Sequence, residues 1–319
     1  MPLIHIDMLS YLPKKISGLV KTFNKSSIWF KTLSFILLCL ILALVLKDDT
    51  KEGFSQEKKF VVKNNNELYD DFYCDIYDEL VYDDHKNDFE VKTINRVSKI
   101  NKNSNVLDIG SGKGHHVNHY QKSGIKIQGL DKSDAMVKCS RKKYPDCKFK
   151  TGDALQSMNF HKNQFTHILS LYFTLYYISD KAAFFKNAYD WLKPGGFLII
   201  HLVNRDKFDP IINSADPLIM VSAQKYAKKR ITNSNVKFKD FLYKANFNYK
   251  KGDDIANFTE TFTDDQTKHV RQNEHKLYMD TQKNILSKAK KVGFILEGQV
   301  NMVPVQYEYQ YLYFLKKPL

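Results

Sequence analysis

The stretch from Val106 to Gly114, which reads VLDIGSGKG, constrains the fold of this chain more than any other feature. Its apolar first half is typical of a β-strand that is covered on both faces. The glycines that follow allow positive backbone φ angles and leave the backbone bare for a ligand. Acidic residues come next at Asp131, after the second predicted strand, and at Asp153, after the third. This order of a glycine turn and two carboxylates predicts a pocket for an adenosine-bearing ligand.

Two other kinds of nucleotide site do not fit the glycine spacing. The dinucleotide-binding pattern is G-x-G-x-x-G, whereas this chain has G-x-G-x-G, with His115 in place of the third glycine. A P-loop would need Gly-Lys-Ser/Thr after four intervening residues, and that sequence is also missing. From Asn66 to Lys317, the chain instead resembles the class I S-adenosylmethionine-dependent methyltransferases, especially the type 11/25-like domains that act on small molecules and lipids.

The resemblance implies a role for each residue around the turn. The glycines would pass beneath the methionine half of S-adenosylmethionine, and Asp108 would lie near its ammonium group. Asp131 would accept both ribose hydroxyls, as a carboxylate can. Asp153 would accept from the adenine amino group, with Lys132 and Met136 beside the ring. Taken singly, each aspartate also fits a helix N-cap or a turn. The implied cofactor-binding residues are Asp108, Gly110, Ser111, Gly112, Gly114, Asp131, Lys132, Met136, Gly152, Asp153 and Ala154.

Helices and strands alternate from residue 67 to the end of the chain. This alternation predicts an α/β fold with a doubly wound, mainly parallel sheet of seven strands, the Rossmann-like methyltransferase fold. The aromatic helix predicted over 67–81 is expected to cover the cofactor pocket. The last two strands, from Gly293 and over 306–316, have no helix between them, so we expect them to pair antiparallel. An insertion at 206–280 alternates like short strands and predicts a small antiparallel sheet that helps to select the substrate; a decoration that binds nothing is the alternative.

An apolar stretch precedes this domain. Residues 28–46 carry Lys31 as their only charge, and a helix of that length rises about 28 Å, close to the roughly 30 Å hydrocarbon core of a bilayer. We therefore predict a single-pass transmembrane helix over 28–46, between a basic segment at 1–27 and a polar linker at 47–66. A cleaved signal peptide fits less well, because the preceding region is long and no small-x-small site follows. A buried globular helix is the other alternative.

The flanks of the apolar stretch say less about the membrane. Residues 13–23 fit either a basic amphipathic helix at the lipid interface or a frayed tail. Five lysines lie before the uninterrupted apolar run, with Lys31 counted among them, and five follow the stretch, so the positive-inside rule predicts no orientation. The need for cytosolic cofactor favours a catalytic domain that faces the cytosol.

Charge and cysteine content exclude several classes of partner. The formal net charge is +14, but five of the 49 basic residues are arginine, which is the better bidentate phosphate ligand. The lysine excess is spread along the whole chain, which indicates a compositional bias rather than a nucleic-acid partner. The four cysteines form no C-x-x-C pair, so they indicate neither a zinc site nor a disulfide framework. Free thiols and no metal are therefore expected.

The chemistry of methyl transfer limits what can be said of catalytic residues. The reaction is an in-line displacement on an activated carbon, so positioning and exclusion of water supply much of the rate. A general base is needed only for an acceptor that is protonated at the working pH. Pocket candidates follow the ends of strands one, four and five, and packing is the alternative reading for each. They are His115, His116, Tyr172, Tyr176, Tyr177, His201, Asn204 and Arg205. Tyr172, His201 and Arg205 are the predicted substrate contacts, and His116 is the predicted base.

The sequence thus predicts a membrane-anchored methyltransferase that uses S-adenosylmethionine to methylate an oxygen or nitrogen of a small-molecule or lipid-like acceptor. One alternative is an RNA cap methyltransferase, because Gly-Lys-Gly in the loop resembles the guanine-N7 cap enzymes. The other alternative is a non-catalytic membrane scaffold that binds the cofactor. The segment Ser170–Phe173 lacks the patterns of amino-methylating and cytosine-C5 DNA enzymes.

Overall fold

The computed structural model describes residues 23–45, 54, 56–64, 67–211, 224 and 227–319. The chain divides into two compact units, Met1–Glu52 and Gly53–Leu319. In the first unit, helix α1 spans Ile28–Val45, where the sequence predicts an apolar helix. The amphipathic helix predicted over 13–23 lies outside the described residues, apart from Phe23.

The side chains of α1 are strongly apolar, and many are exposed. Trp29 is 80% exposed and Leu33 is 69% exposed. Across the ranges that the structure describes, however, no helix combines the length and the apolar character needed to cross a membrane. The transmembrane helix predicted over 28–46 is therefore not supported, although a helix is present at Ile28–Val45.

The second unit contains twelve strands and six α-helices within its described residues. The strands are β1 (Phe60–Asn64), β2 (Asn105–Ile109), β3 (Lys126–Asp131), β4 (Lys148–Thr151), β5 (Phe165–Ser170), β6 (Leu192–Val203), β7 (Asn233–Lys237), β8 (Phe241–Tyr249), β9 (Ile255–Asp264), β10 (Val270–Tyr278), β11 (Ile295–Asn301) and β12 (Gln310–Lys316). The helices are α2 (Asp71–Val81), α3 (Asp84–Ser98), α4 (His115–Lys122), α5 (Asp134–Lys143), α6 (Lys181–Trp191) and α7 (Gln282–Val292). Short 3₁₀ helices lie at Ser157–Asn159, Thr174–Tyr177 and Val303–Val305.

Seven of these strands form a mixed sheet in the order β11-β12-β6-β5-β2-β3-β4. The strands β2 to β6 run parallel, whereas β12 is antiparallel to β6 and β11 is antiparallel to β12. The predicted Rossmann-like methyltransferase fold, with a reversed hairpin at the sheet edge, is confirmed. In such a sheet the carboxyl ends of the parallel strands meet at one edge, where ligands bind.

Successive residues of the central strand enter two apolar cores, one on each face of the sheet. Leu107 of β2 belongs to the core that contains Trp191 of α6. Its neighbour Val106 belongs to the core that contains Ile94 of α3. All four side chains are at most 1% exposed, and burial of one such side chain contributes about 1.5–3 kcal/mol. The two cores hold the carboxyl end of β2, and with it the glycine turn, in a fixed position.

The other five strands form a second sheet in the order β1-β10-β9-β8-β7. The strands β7 to β10 pair antiparallel, as predicted for the insertion at 206–280. β1 joins this sheet in parallel with β10. Residues 60–64, which the sequence places in a polar linker, are therefore an edge strand of the folded unit. The pairing of this strand with β10 explains the difference, because β10 lies far away in the sequence and no local pattern shows the contact.

Candidate active site

A cavity of about 880 Å³ opens at the carboxyl ends of the parallel strands β2 to β5. Predicted cofactor residues line one part of it: Asp108, Gly110, Ser111, Gly112, Asp131, Lys132, Met136, Gly152, Asp153 and Ala154. The five-stranded sheet lines another part with Phe258, Glu260 and His275. The fold thus brings the predicted cofactor residues together and continues the same cavity to the second sheet.

Backbone geometry explains two of the glycines in the turn. Gly110 and Gly112 have φ angles of +70° and +51°, a left-handed conformation that costs other residues about 1–2 kcal/mol. A Cβ atom on Gly110 would lie 2.4 Å from the hydroxyl oxygen of Thr174. A Cβ atom on Gly112 would meet nothing closer than Tyr77, at 3.8 Å. Gly110 is therefore required by packing as well as by φ, whereas Gly112 leaves open space at the cavity wall.

Gly114, predicted among the cofactor residues, is not one of the residues that line the cavity. It caps the start of α4 with a φ angle of +80°. A Cβ atom at this position would lie 2.4 Å from the ring of Phe149. The structure explains this glycine by the close packing of α4 against β4.

Asp131 ends β3 and fixes the glycine turn. Its Oδ2 accepts a hydrogen bond from the Gly112 amide at 2.8 Å, and its Oδ1 accepts one from the Ser133 amide at 2.9 Å. Burial raises the pKa of this carboxyl group, and the backbone hydrogen bonds offset part of that rise. A carboxylate offers about four acceptor positions, so Asp131 retains capacity for two ribose hydroxyls.

Asp153 and Lys132 form the predicted adenine end. Lys132 Nζ lies 3.0 Å from Asp153 Oδ2, and the Leu155 amide donates to Asp153 Oδ1 at 2.9 Å. Burial raises the pKa of Asp153, but the hydrogen bonds from Leu155 and Lys132 outweigh it and leave the pKa below its usual value. Met136, at 1% exposure, supplies an apolar wall nearby. A hydrogen-bond acceptor beside an apolar wall suits the edge and face of an adenine ring.

The start of the turn suits the methionine end of S-adenosylmethionine. Asp108 is 3% exposed, and burial raises its pKa to about 7, with His116 acting in the opposite direction. A nearby ammonium group would stabilise the ionised carboxylate. The hydroxyl oxygen of Ser111 is buried without a hydrogen-bond partner among the described residues. A buried unpartnered polar atom beside bare backbone indicates a place for a polar ligand group.

The segment that leads into helix α2 covers the cavity, as the sequence predicts for the aromatic helix over 67–81. Tyr69, Tyr73 and Tyr77 all line the cavity. We call residues 68–81 the lid. The lid is fastened to the seven-stranded sheet by the Ser133 hydroxyl, which donates to the Tyr69 carbonyl oxygen at 2.5 Å.

Two further contacts fasten the lid. Asp78 lies 2.8 Å from His115 Nε2, 2.6 Å from Lys143 Nζ and 3.2 Å from Lys113 Nζ. Burial raises the pKa of Asp78, but these cationic partners outweigh burial and hold it well below its usual value. The disulfide between Cys74 and Cys139 also joins the lid to α5. The expectation of free thiols is therefore wrong for this pair, because the fold brings together two cysteines that are 65 residues apart in the sequence.

Lid and second sheet are also joined directly. Arg271 of β10 donates to Asp70 Oδ2 at 2.7 Å and to the Leu68 carbonyl oxygen at 3.2 Å. Its guanidinium group lies over the ring of Phe72, 4.5 Å from the ring centroid. Asp70 in turn caps α2, since its side chain accepts from the Tyr73 amide. A single arginine thus sets the start of the lid against the second sheet.

Half of the predicted catalytic candidates reach the cavity. Its lining includes His115, His116, Tyr172 and Tyr177, but not Tyr176, His201, Asn204 and Arg205. The substrate contacts predicted for His201 and Arg205 are therefore not supported. His201 lies in a strand that is covered on both faces, where burial lowers its pKa to about 4. Arg205 instead holds the insertion, through Asp254 Oδ1 at 2.5 Å and the Met279 carbonyl oxygen at 2.6 Å.

The two adjacent histidines of α4 have different surroundings. His115 has both ring nitrogens engaged, by Asp78 at 2.8 Å and by the Tyr144 hydroxyl at 3.1 Å. His116 Nε2 lies 3.0 Å from Glu90 Oε2, without the alignment of a hydrogen bond. Glu90 is fully buried, and although burial raises its pKa, Lys86 and His116 lower it to about 2. His116 remains the predicted base on the cofactor side.

The sequence analysis missed the polar residues that the second sheet contributes. Glu260 and His275 line the cavity and are each 2% exposed. A signal for them was available in the sequence, because Glu260 shares a period-two face with Phe262, and His275 shares one with Leu277. Glu260 and His275 fall on the buried side of that alternation, where ionisable residues are rare unless they are paired.

Comparison with known proteins identifies the central part of the chain. Residues 106–196 match a family described as methyltransferase domain. A demethylmenaquinone methyltransferase of Chlorobaculum parvum is 36% identical over 92 residues, which cover 28% of this chain and 37% of that protein. The chain spans less than half the length of the curated relatives that it matches.

Solved structures share the fold at low sequence identity. An S-adenosylmethionine-dependent methyltransferase from Clostridium acetobutylicum has a TM-score of 0.59 at 16% identity, covering 78% of this chain and 98% of that chain. An amino pentose methyltransferase from Micromonospora echinaspora, solved with S-adenosylmethionine bound, has a TM-score of 0.54 at 14% identity, covering 77% and 96%. The chain therefore contains an S-adenosylmethionine-dependent methyltransferase domain with a Rossmann-like fold, and S-adenosylmethionine is the cofactor of this domain.

Proposed function

We propose that the whole protein transfers the methyl group of S-adenosylmethionine to an oxygen or nitrogen of a small-molecule or lipid-like acceptor. One observation carries this proposal: the cavity that contains the glycine turn continues to the second sheet. Its volume of about 880 Å³ lies near the upper end of the range for small-molecule pockets, about 300–1,000 Å³. A cavity of this size has room for an acceptor beside the cofactor.

The walls of the acceptor side are mostly aromatic. Tyr69 and Tyr77 come from the lid, and Tyr172, Phe247 and Phe258 come from the two sheets and their loops. Such walls exclude water and hold a small ring or chain in one orientation. S-adenosylmethionine supplies a methyl group that is already activated by a sulfonium. The protein's own contribution is to hold the acceptor in line and dry.

Two of the compared proteins support an acceptor of this size. One is a demethylmenaquinone methyltransferase and the other an amino pentose methyltransferase. Among the described residues that line the cavity there is no arginine, the residue best suited to bidentate phosphate contacts. A capped RNA is therefore the less favoured acceptor.

We also propose that α1 attaches the protein to a membrane, with the methyltransferase domain on the cytosolic side. The helix exposes Trp29, Leu33 and Phe35, each by more than 60%, and contact with lipid would remove these apolar side chains from water. Flotation with anionic phospholipid vesicles tests this: replacing Trp29 and Leu33 by Asp is expected to abolish binding. Met158→Asp is the matched control, because Met158 is an exposed apolar residue of the second unit. Equal flotation of all variants would contradict the proposal.

A labelling experiment tests the methyltransferase function. The full chain is incubated with S-adenosylmethionine labelled on its methyl group, together with separate lipid, small-molecule and capped-RNA pools. We expect label in the lipid or the small-molecule pool. Label in RNA alone would establish the cap-methyltransferase alternative. Cofactor binding by calorimetry without label in any pool would instead favour a non-catalytic scaffold.

A further inference from the structure

Four side chains on the acceptor side form a continuous series of hydrogen bonds. The Tyr177 hydroxyl lies 2.7 Å from His275 Nδ1. On the other side of the imidazole, His275 Nε2 lies 2.7 Å from Glu260 Oε2. The Tyr243 hydroxyl donates to the second oxygen of Glu260 at 2.9 Å. We call Tyr177, His275 and Glu260 the relay.

The relay joins the two sheets inside the cavity. Tyr177 ends the 3₁₀ helix that follows β5, whereas Glu260 and His275 lie on the adjacent strands β9 and β10. All three residues line the cavity, and Glu260 and His275 are each only 2% exposed. Their hydrogen bonds are therefore shielded from bulk water. Hydrogen bonds in such a shielded interior are stronger than hydrogen bonds in water.

Donors and acceptors fix the positions of the protons. The Glu260 carboxylate only accepts, so a neutral His275 carries its proton on Nε2 and offers a lone pair on Nδ1. That lone pair accepts the hydrogen bond from Tyr177. The Tyr69 ring packs edge-on against the Tyr177 ring, with the ring centroids 5.7 Å apart. A phenol oxygen that donates one hydrogen bond retains a lone pair for a ligand group in the cavity.

We propose that Tyr177 takes up the proton that a hydroxyl acceptor loses as it is methylated, or that an ammonium acceptor loses before it is methylated. For a hydroxyl, the proton moves to the Tyr177 oxygen as the bond from the methyl carbon to the acceptor oxygen forms and the bond from that carbon to sulfur breaks. For an ammonium group, the proton moves to the Tyr177 oxygen first, and the lone pair of the resulting amine then forms the bond to the methyl carbon as the bond to sulfur breaks. The proton of the Tyr177 hydroxyl moves at the same time to His275 Nδ1. The resulting imidazolium is stabilised by Glu260, as the histidine of a hydrolase triad is by its carboxylate.

This inference rests on the proposed function and narrows its substrate class. The acceptor is a group that still carries the proton it must lose at neutral pH, such as an alcohol, a phenol or the ammonium form of an amine. Tyr177 is the catalytic residue, because it faces the ligand. His275 and Glu260 are positioning residues that act through it.

The titratable groups around the relay agree with a coupled transfer. Those that face it are Tyr69, Tyr73 and Tyr77 from the lid, Tyr172 from the loop after β5, and Tyr243 from β8. Burial raises the pKa of Tyr177 far above its usual value, so this side chain is a neutral phenol at physiological pH. A neutral phenol accepts a proton only if its own proton leaves, and His275 is the group that receives it.

The other buried histidine–glutamate pair of the unit lacks this arrangement. His116 Nε2 approaches Glu90 without hydrogen-bond alignment. Glu90 is also paired with Lys86, whose Nζ lies 3.2 Å from Oε2. Its charge is therefore already neutralised by a lysine, which leaves less of it to stabilise an imidazolium.

Nitrogen-15 spectra of the histidine side chains test the relay without any acceptor. The full chain with bound S-adenosylmethionine is compared with Tyr177→Phe, which removes one hydroxyl, and His275→Gln identifies the resonances. We expect protonation on His275 Nε2 and a shift of the Nδ1 resonance in Tyr177→Phe. Tyr176→Phe is the matched control, because Tyr176 is buried next to Tyr177 but does not line the cavity. A proton on Nδ1 of His275, or no shift in Tyr177→Phe, would overturn the proposal.

Methyl transfer to two probe pools, one of phenols and alcohols and one of primary amines, supplies the second measurement. We expect Tyr177→Phe to lose about 10²–10⁴-fold in rate, the usual contribution of general acid–base catalysis, with cofactor affinity within about twofold of wild type and Tyr176→Phe unchanged. Glu260→Gln should shift the pH profile towards alkaline pH, because the acceptor must then ionise by itself.

The outcomes separate the two levels of the proposal. If the wild-type chain does not bind S-adenosylmethionine, the proposed function itself is contradicted. Normal cofactor binding without label in either pool would overturn the acceptor class. Label transfer by Tyr177→Phe within about threefold of wild type would overturn the role of Tyr177, since that is far below the usual general acid–base effect.

Discussion

The two ends of the cavity are formed by different chemical groups from different parts of the chain. The cofactor end uses backbone amides, glycines and short carboxylates from one stretch of chain, Asp108 to Ala154. The acceptor end uses long side chains from the lid, from the 3₁₀ helix after β5 and from the second sheet. Backbone geometry can change only if the fold changes, whereas side chains can be replaced one by one. Substitutions of the glycine turn at the cofactor end should therefore lower mainly the stability of the protein. Substitutions at the acceptor end should lower mainly its activity.

The strongest test of this difference compares two glycines of the turn. Gly110→Ala is expected to lower the free energy of unfolding by about 3 kcal/mol, from positive φ and overpacking against Thr174. Gly112→Ala should cost only about 1 kcal/mol, because it has the same strain without the clash. Chemical denaturation measures both changes. Adding Thr174→Ala should recover part of the Gly110→Ala loss, and equal losses for the two glycines would contradict the packing argument.

A pair of conservative carboxylate changes should separate the two ends functionally. Asp131→Asn is expected to weaken S-adenosylmethionine binding by about 30-fold, or about 2 kcal/mol, since hydrogen bonds to a charged group are lost. Glu260→Gln should leave cofactor affinity within about twofold while it lowers methyl transfer. Calorimetry and label incorporation measure the two effects. Asp134→Asn, at the exposed start of α5, is the control for Asp131. Weakened cofactor binding in Glu260→Gln would mean that the two ends are not separable.

The smallest expected effect concerns acid stability of the lid. The folded-state pKa of Asp78 is lowered from 3.8, so its contribution to stability is complete above that value and is lost as the pH falls below it. The free energy of unfolding of the wild-type chain should exceed that of Asp78→Asn by about 1 kcal/mol near pH 6. This difference should shrink below pH about 3.8. Denaturation at several pH values measures the difference. The control is Asp88→Asn, which removes an exposed ion pair with Lys92 and should leave the free energy of unfolding almost unchanged. A difference between wild type and Asp78→Asn that stays constant with pH would contradict the role of Asp78.

Sequence-based prediction succeeded where one local pattern determines the structure. The glycine turn follows a strand whose apolar composition is evident, and Asp131 and Asp153 come within 50 residues of the start of that strand. The reversed hairpin follows from the lack of a helix between the last two strands. The strands of the insertion were visible as alternation, although β1 was not, because its pairing with β10 joins distant parts of the chain.

Prediction failed where tertiary contacts between distant segments decide the outcome. Tyr177 and His275 are 98 residues apart, and the disulfide joins residues on two helices, so spacing could not show either pair. His201 and Arg205 follow or lie in the fifth strand of the parallel series as predicted, but their side chains point into packed regions rather than into the cavity. The end of a strand indicates where a site lies, but not which of its side chains turn towards it.

The lid has a consequence for how the two ligands influence one another. Tyr77 stands over the glycine turn, and Tyr69 contacts the relay, so a single helix and its leading turn touch both halves of the cavity. Whatever one ligand contributes to ordering that segment, the other need not contribute again. Occupancy of either half should therefore raise affinity in the other, and thermodynamic reciprocity requires the two enhancement factors to be equal.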